Sequence, residues 1–143
     1  MSELFSKEAV FLYKSVWEKM KTGETQEGDA GLIAETMKAH PEFEPFWGMG
    51  EAAFQPQEVN GYIVNPLVHI GLHVIVEKQI SSDEPMEVSV AIRQLLSQGI
   101  PRHEAIHHVA GIWGNLYFRS VRRGDPMEEW VYLQELMALS GNT

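Results

Sequence analysis

Residues 65–80, NPLVHIGLHVIVEKQI, decide the fold of this chain. Asn65 can cap a helix, and Pro66 suits its first position because the missing N–H would have no intrahelical partner there. At 100° per residue, Leu67, Val68, Ile70, Leu72, Val74, Ile75 and Val76 leave only a narrow polar strip near Lys78 and Gln79. A helix that is apolar nearly all round belongs inside, wrapped by others. His69 and His73 stand four apart within this apolar surface, so their imidazoles share one face, and Glu77 continues the line one turn later. Gly71, opposite that face, marks a place where another helix can come close.

Other segments supply the wrapping. Phe5, Ala9, Leu12, Tyr13, Val16, Trp17 and Met20 recur at three and four, which predicts a first helix over 6–21 with Ser6 as cap and Gly23 as its left-handed end. A second helix is expected over 29–39, with Leu32, Ile33 and Met37 inward and Pro41 as its stop. His40, just before that proline, reads first as a partner for the helix end and second as an extra ligand. Residues 40–64 are irregular but rich in Phe43, Phe46, Trp47, Phe54 and Tyr62, as in a loop packed down like a lid. Asn60-Gly61 can close a tight turn with a very short strand pair. Beyond the central helix, Pro85 opens a helix with Val88, Ala91, Ile92, Leu95 and Leu96 inward. Pro101 opens another, carried to about Arg122. Asp125 caps a last helix over 127–139, with Trp130, Leu133, Leu136 and Met137 inward. The expectation is one all-α domain over 1–143, a compact bundle of about six helices around the buried central one.

The composition narrows the function classes. The 143 residues suffice for a substantial core, and cysteine is absent, so disulfides, thiolate metal sites and Cys nucleophiles are excluded. The first residues mix charges among apolar side chains, unlike a secretory signal, and no apolar run has the length of a membrane span. These features together predict a soluble cytoplasmic protein. Twenty acidic against eleven basic residues give a formal net charge of −9, which disfavours nucleic acid as partner. Arg119, Arg122 and Arg123 form the one basic cluster and read most simply as the outer face of the last helical turns. The aromatic loop over 43–54 offers the alternative class: a non-catalytic interaction module or homodimer, with the histidines as polar core packing.

Four histidines carry the sharper reading. His103 and His107 repeat the i, i+4 spacing on the helix from Pro101, sharing a wheel face with Ala110, Gly114, Tyr117 and Val121, while His108 falls on the polar side. Two helices each presenting His-x3-His inward can bring four imidazoles to one metal, and His69, His73, His103 and His107 are the expected ligands. Zinc is the first expectation, with other divalent transition metals open. Four ligands would make a closed structural site. Three would leave room for a water, with Glu104 or Glu77 as the catalytic base of a hydrolysis. His103-Glu104-Ala105-Ile106-His107 matches the His-Glu-x-x-His pattern of zinc proteases, but no sheet edge to hold a substrate is expected nearby. A diiron-carboxylate site needs a second Glu-x-x-His, and a hemerythrin-like set lacks its remaining His and Asp. Whether the protein is an enzyme stays open at this stage.

The run Asn65-Pro66-x-x-His69-x-Gly71-Leu72-His73, with Gln79, Asp83 and Pro85 and then His103 and His107, resembles a family of short bacterial proteins catalogued only as a domain of unknown function. The likeness runs from His40-Pro41-Glu42 to Trp113. It implies an all-helical fold and no established activity. At Glu77 this chain departs from the resemblance, which implies Arg there.

Overall fold

The computed structural model describes residues 7–49 and 55–140, and it is all-α apart from one short hairpin. The elements run α1 (Lys7–Lys21), α2 (Gly28–Lys38), a 3-10 turn (Pro41–Phe43), α3 (Glu44–Trp47), β1 (Gln57–Val59), β2 (Tyr62–Val64), α4 (Pro66–Ser82), α5 (Met86–Ser97), α6 (Arg102–Arg123) and α7 (Glu129–Ser140). The six helices expected from periodicity are all present, and the four-residue α3 adds to them. The proposed Ser6 cap, Phe5 and Phe54 lie outside the described residues.

The chain divides into two compact units, Met1–Val74 and Ile75–Thr143, with the boundary inside α4. In the first, α1 packs on α2. Tyr13 and Val16 of α1, Ile33, Ala34 and Met37 of α2, Phe43, Trp47, and Leu67, Ile70 and Val74 of α4 form one core. The stripe on α1 is narrower than its pattern suggested. Leu12 is 39% exposed, because Tyr13 and Val16 take the buried line. The aromatic loop is indeed packed down where it is described: Phe43 and Trp47 are buried, while Met49 is exposed. β1 and β2 pair antiparallel around Asn60 and Gly61. Both turn residues have positive φ, 51° and 86°, as a two-residue turn that matches strand twist requires.

In the second unit α5, α6 and α7 pack on one another. Val88, Ala91, Ile92 and Leu95 of α5 and Ala105, Ile106, Val109 and Ala110 of α6 are buried, as are Tyr132 and Leu136 of α7. Helix α7 begins two residues later than expected and turns a different face inward: Trp130 and Met137 are each 58% exposed. Leu136 is buried as expected, Tyr132 four residues before it shares the inner line, and the Tyr132 hydroxyl donates to Gln79 Oε1 at 2.8 Å. Burial raises the Tyr132 phenol far above its usual pKa. It is therefore a neutral donor throughout the accessible range.

Helix α4 matches its sequence pattern closely. The Val68 N–H donates to Asn65 Oδ1 at 3.3 Å, so Asn65 is the cap. Leu67, Ile70, His73, Val74 and Val76 are buried and Lys78 is exposed, which places the polar strip where the wheel put it. Gly71 is buried as well. Gly71→Leu is expected to overpack this site and cost roughly 1–3 kcal/mol. An unchanged urea midpoint in that variant would contradict the close packing around α4. No helix among the described residues is long and apolar enough to cross a membrane.

Candidate metal centre

Three imidazoles meet in the first unit. His69 and His73, one turn apart on α4, stack with centroids 4.8 Å apart. His40, at the end of α2, stands edge-on to both, at 4.9 Å from His69 and 4.6 Å from His73. The expected pair on α4 is thus joined by a third histidine whose role the sequence had left divided. The structure shows the first role and sets the ring beside the α4 pair. Nδ1 of His40 lies 2.8 Å from the Thr36 carbonyl oxygen, so it serves the end of α2. A carbonyl oxygen only accepts, so Nδ1 carries the proton and Nε2 of the neutral ring carries the lone pair. Metal-bound histidines are commonly oriented in this way, with one ring N–H on a backbone carbonyl and the other nitrogen presented as ligand. His40 is 1% exposed and His73 4%, so both rings sit in a site largely shielded from water.

Phe43 holds these rings in place. It stacks parallel to His40 at 5.6 Å and meets His69 edge-to-face at 5.2 Å. The Pro41–Phe43 turn brings it there, because Pro41 ends the helical path of α2 and redirects the chain. On the next turn Trp47 meets Phe43 edge-to-face at 6.3 Å. The aromatic loop is therefore a wall of the histidine cluster. Its sequence signal was present in the spacing from His40 to Phe43, but only folding shows which helix those residues face.

In the second unit, His103 and His107 lie in the first two turns of α6. They are exposed, a correction to the inward placement expected for them. Ala110, Gly114 and Tyr117 of the same wheel face are buried as expected, so that face turns inward only beyond the first two turns of α6, where Ala105, Ile106 and Val109 take the buried side instead. Val121, from the same wheel face, is likewise exposed. The His107 imidazole is held below its usual pKa, first by partial screening from water and then by His103 and His108, with Glu104 opposing. A neutral imidazole is the form that binds metal.

The two candidate bases differ. Glu104 is exposed on the first turn of α6. Glu77 receives a two-pronged ion pair from Arg102, whose Nη1 and Nη2 donate to Oε2 and Oε1 at 2.7 and 3.0 Å. Both oxygens of this carboxylate are therefore occupied by the guanidinium fork. Arg102→Ala and Glu77→Gln are each expected to cost less than about 1 kcal/mol, because the pair is partly exposed, and to do so less at high salt. A loss above 3 kcal/mol in chemical denaturation would contradict this peripheral role.

An all-helical chain with histidines gathered on a buried helix is the class that fold and site define. A family model described as "Domain of unknown function (DUF1841)" matches residues 6–138, and the chain belongs to that family. No curated protein and no solved structure matches it.

Proposed function

We propose that the protein binds one divalent transition-metal ion through imidazole nitrogens, zinc being the first candidate. His40, His69 and His73, all in the first unit, are its ligands. The observation that carries this reading is the gathering of three histidine rings within 5 Å of one another, two of them buried, with the His40 tautomer set by a backbone carbonyl. Burying several imidazoles is costly in polar satisfaction unless they share a task. Imidazole-only donors suit zinc, nickel, copper or iron, and the absent cysteines exclude thiolate chemistry.

Three protein ligands leave a position for a bound water, the arrangement that metal-assisted hydrolysis requires. Metal analysis of untagged protein tests the reading. About one equivalent is expected, and it is lost in a folded His69→Ala, His73→Ala double variant. Metal-free native protein that zinc, nickel, copper and iron all fail to stabilise would overturn it.

A second reading, homo-oligomerisation or docking to a protein through the 43–54 loop, draws support from Met49 and from Tyr62 and Ile63, which are 74% and 71% exposed on the hairpin. Light scattering separates this from a monomer. The acidic net charge supports a cytoplasmic protein with no nucleic-acid partner. We also propose that residues 1–143 unfold as one domain, in a single calorimetric transition whose van't Hoff and calorimetric enthalpies agree. Two resolved transitions would contradict that.

A further inference from the structure

The basic cluster near the end of α6 remains unused by the metal reading, and it borders the corner where α6 turns into α7. Gly124, with φ 73°, ends α6 in a left-handed residue, and the Asp125 N–H returns to the Ser120 carbonyl at 3.1 Å. Pro126 then keeps the chain from resuming a helix at once, so residues 125–128 form a wall opposite the last turns of α6. The space enclosed is a cavity of 360 Å³. That lies within the range of small-molecule sites.

Its lining has two parts. Leu116, Met127 and Val131 supply an apolar floor, with Leu116 buried and the other two half-buried. Arg119 and Arg123, one turn apart, and Asp125 and Glu128 on the facing wall supply an exposed rim of both signs. Among the described residues these four charges form no ion pair with one another or with any other side chain. Ser120, also in the lining, donates to the Tyr117 carbonyl at 2.8 Å and so serves its own helix.

We propose that this corner binds a small zwitterion, an α-amino acid with an apolar side chain. Two guanidinium groups suit its carboxylate, because the planar fork matches carboxylate geometry and two such groups set its direction. Asp125 and Glu128 suit its ammonium group, and the floor takes its side chain. An anion without the ammonium would leave both carboxylates facing a negative ligand. A purely apolar molecule would leave all four charges unused. The opposite signs on facing walls therefore select a ligand that carries both.

The test is a methyl and amide NMR titration of the full chain with L-leucine, L-phenylalanine, L-leucinamide and N-acetyl-L-leucine. Saturable shifts of the Leu116 and Val131 methyl signals with at least one free amino acid are expected, and at least about tenfold weaker binding of both capped forms. An Arg119→Gln, Arg123→Gln variant should keep a dispersed spectrum and lose the saturable shifts. The absence of saturable shifts with both free amino acids would overturn the proposal. So would N-acetyl-L-leucine or L-leucinamide binding as tightly as L-leucine, or binding that survives the arginine substitutions. All lining residues lie between 116 and 131, so the outcome is independent of the histidine site.

Discussion

Phe43→Ala is expected to destabilise the protein by about 3–5 kcal/mol, the largest effect of any single truncation in the first unit. Phe43 is 2% exposed and belongs to the core formed with Tyr13, Val16, Met37, Leu67 and Ile70. Its removal takes away a large apolar surface and leaves a cavity that a one-turn helix and a 3-10 turn are poorly able to refill. The same ring contacts His40 and His69, so the loss has a second readout. Metal affinity should fall along with stability, because the imidazoles lose the wall that holds their orientation. Phe11→Ala is the control: that ring is 75% exposed, and its removal should change stability by less than about 0.5 kcal/mol. Urea unfolding of both variants checks the pair. Equal, small losses would contradict the packed-down loop.

His40→Leu should separate the site from the scaffold. The substitution keeps an apolar body of comparable size at a position 1% exposed, and the Thr36 oxygen still accepts from the Ala39 N–H at 3.1 Å, so the cost is expected to stay near the roughly 1 kcal/mol of one lost hydrogen bond. Its effect on metal should be larger: at least tenfold to a hundredfold weaker zinc binding, even if His40 acts only by orienting its neighbours, and more if it is a ligand. Zinc at a hundred times its dissociation constant stabilises a native state by about 2.7 kcal/mol, and this increment should shrink or vanish in the variant. Calorimetry with and without zinc checks it. An unchanged zinc increment in His40→Leu would remove His40 from the site and leave it as a cap of α2.

Much of this architecture was legible in the chain because it follows from local rules. The cap at Asn65, the proline starts and stops, the Asn60-Gly61 turn and the nearly all-round apolar surface of α4 are set within a few residues of one another. Backbone sterics and helical periodicity act over the same span. The i, i+4 pairing of His69 with His73 is equally local, and the stacked rings follow from it. Tertiary packing decided what periodicity leaves free, namely which of two adjacent faces goes inward. On α7 periodicity put Leu136 inward correctly, but Trp130 and Met137 on either side of it are exposed and Tyr132 is buried in their place, its hydroxyl hydrogen-bonded to Gln79. On α6 Ala110, Gly114 and Tyr117 of the expected face are buried, but over the first two turns Ala105, Ile106 and Val109 take the inner side and His103 and His107 stay exposed. His40 shows the same limit from the side of the site. Its place beside proline announced a helix end, which is local, but its meeting with His69 and His73 spans about thirty residues of chain. No pattern within one helix encodes that distance, because it is set by how α2, the Phe43 turn and α4 fill a common core at close-packed density.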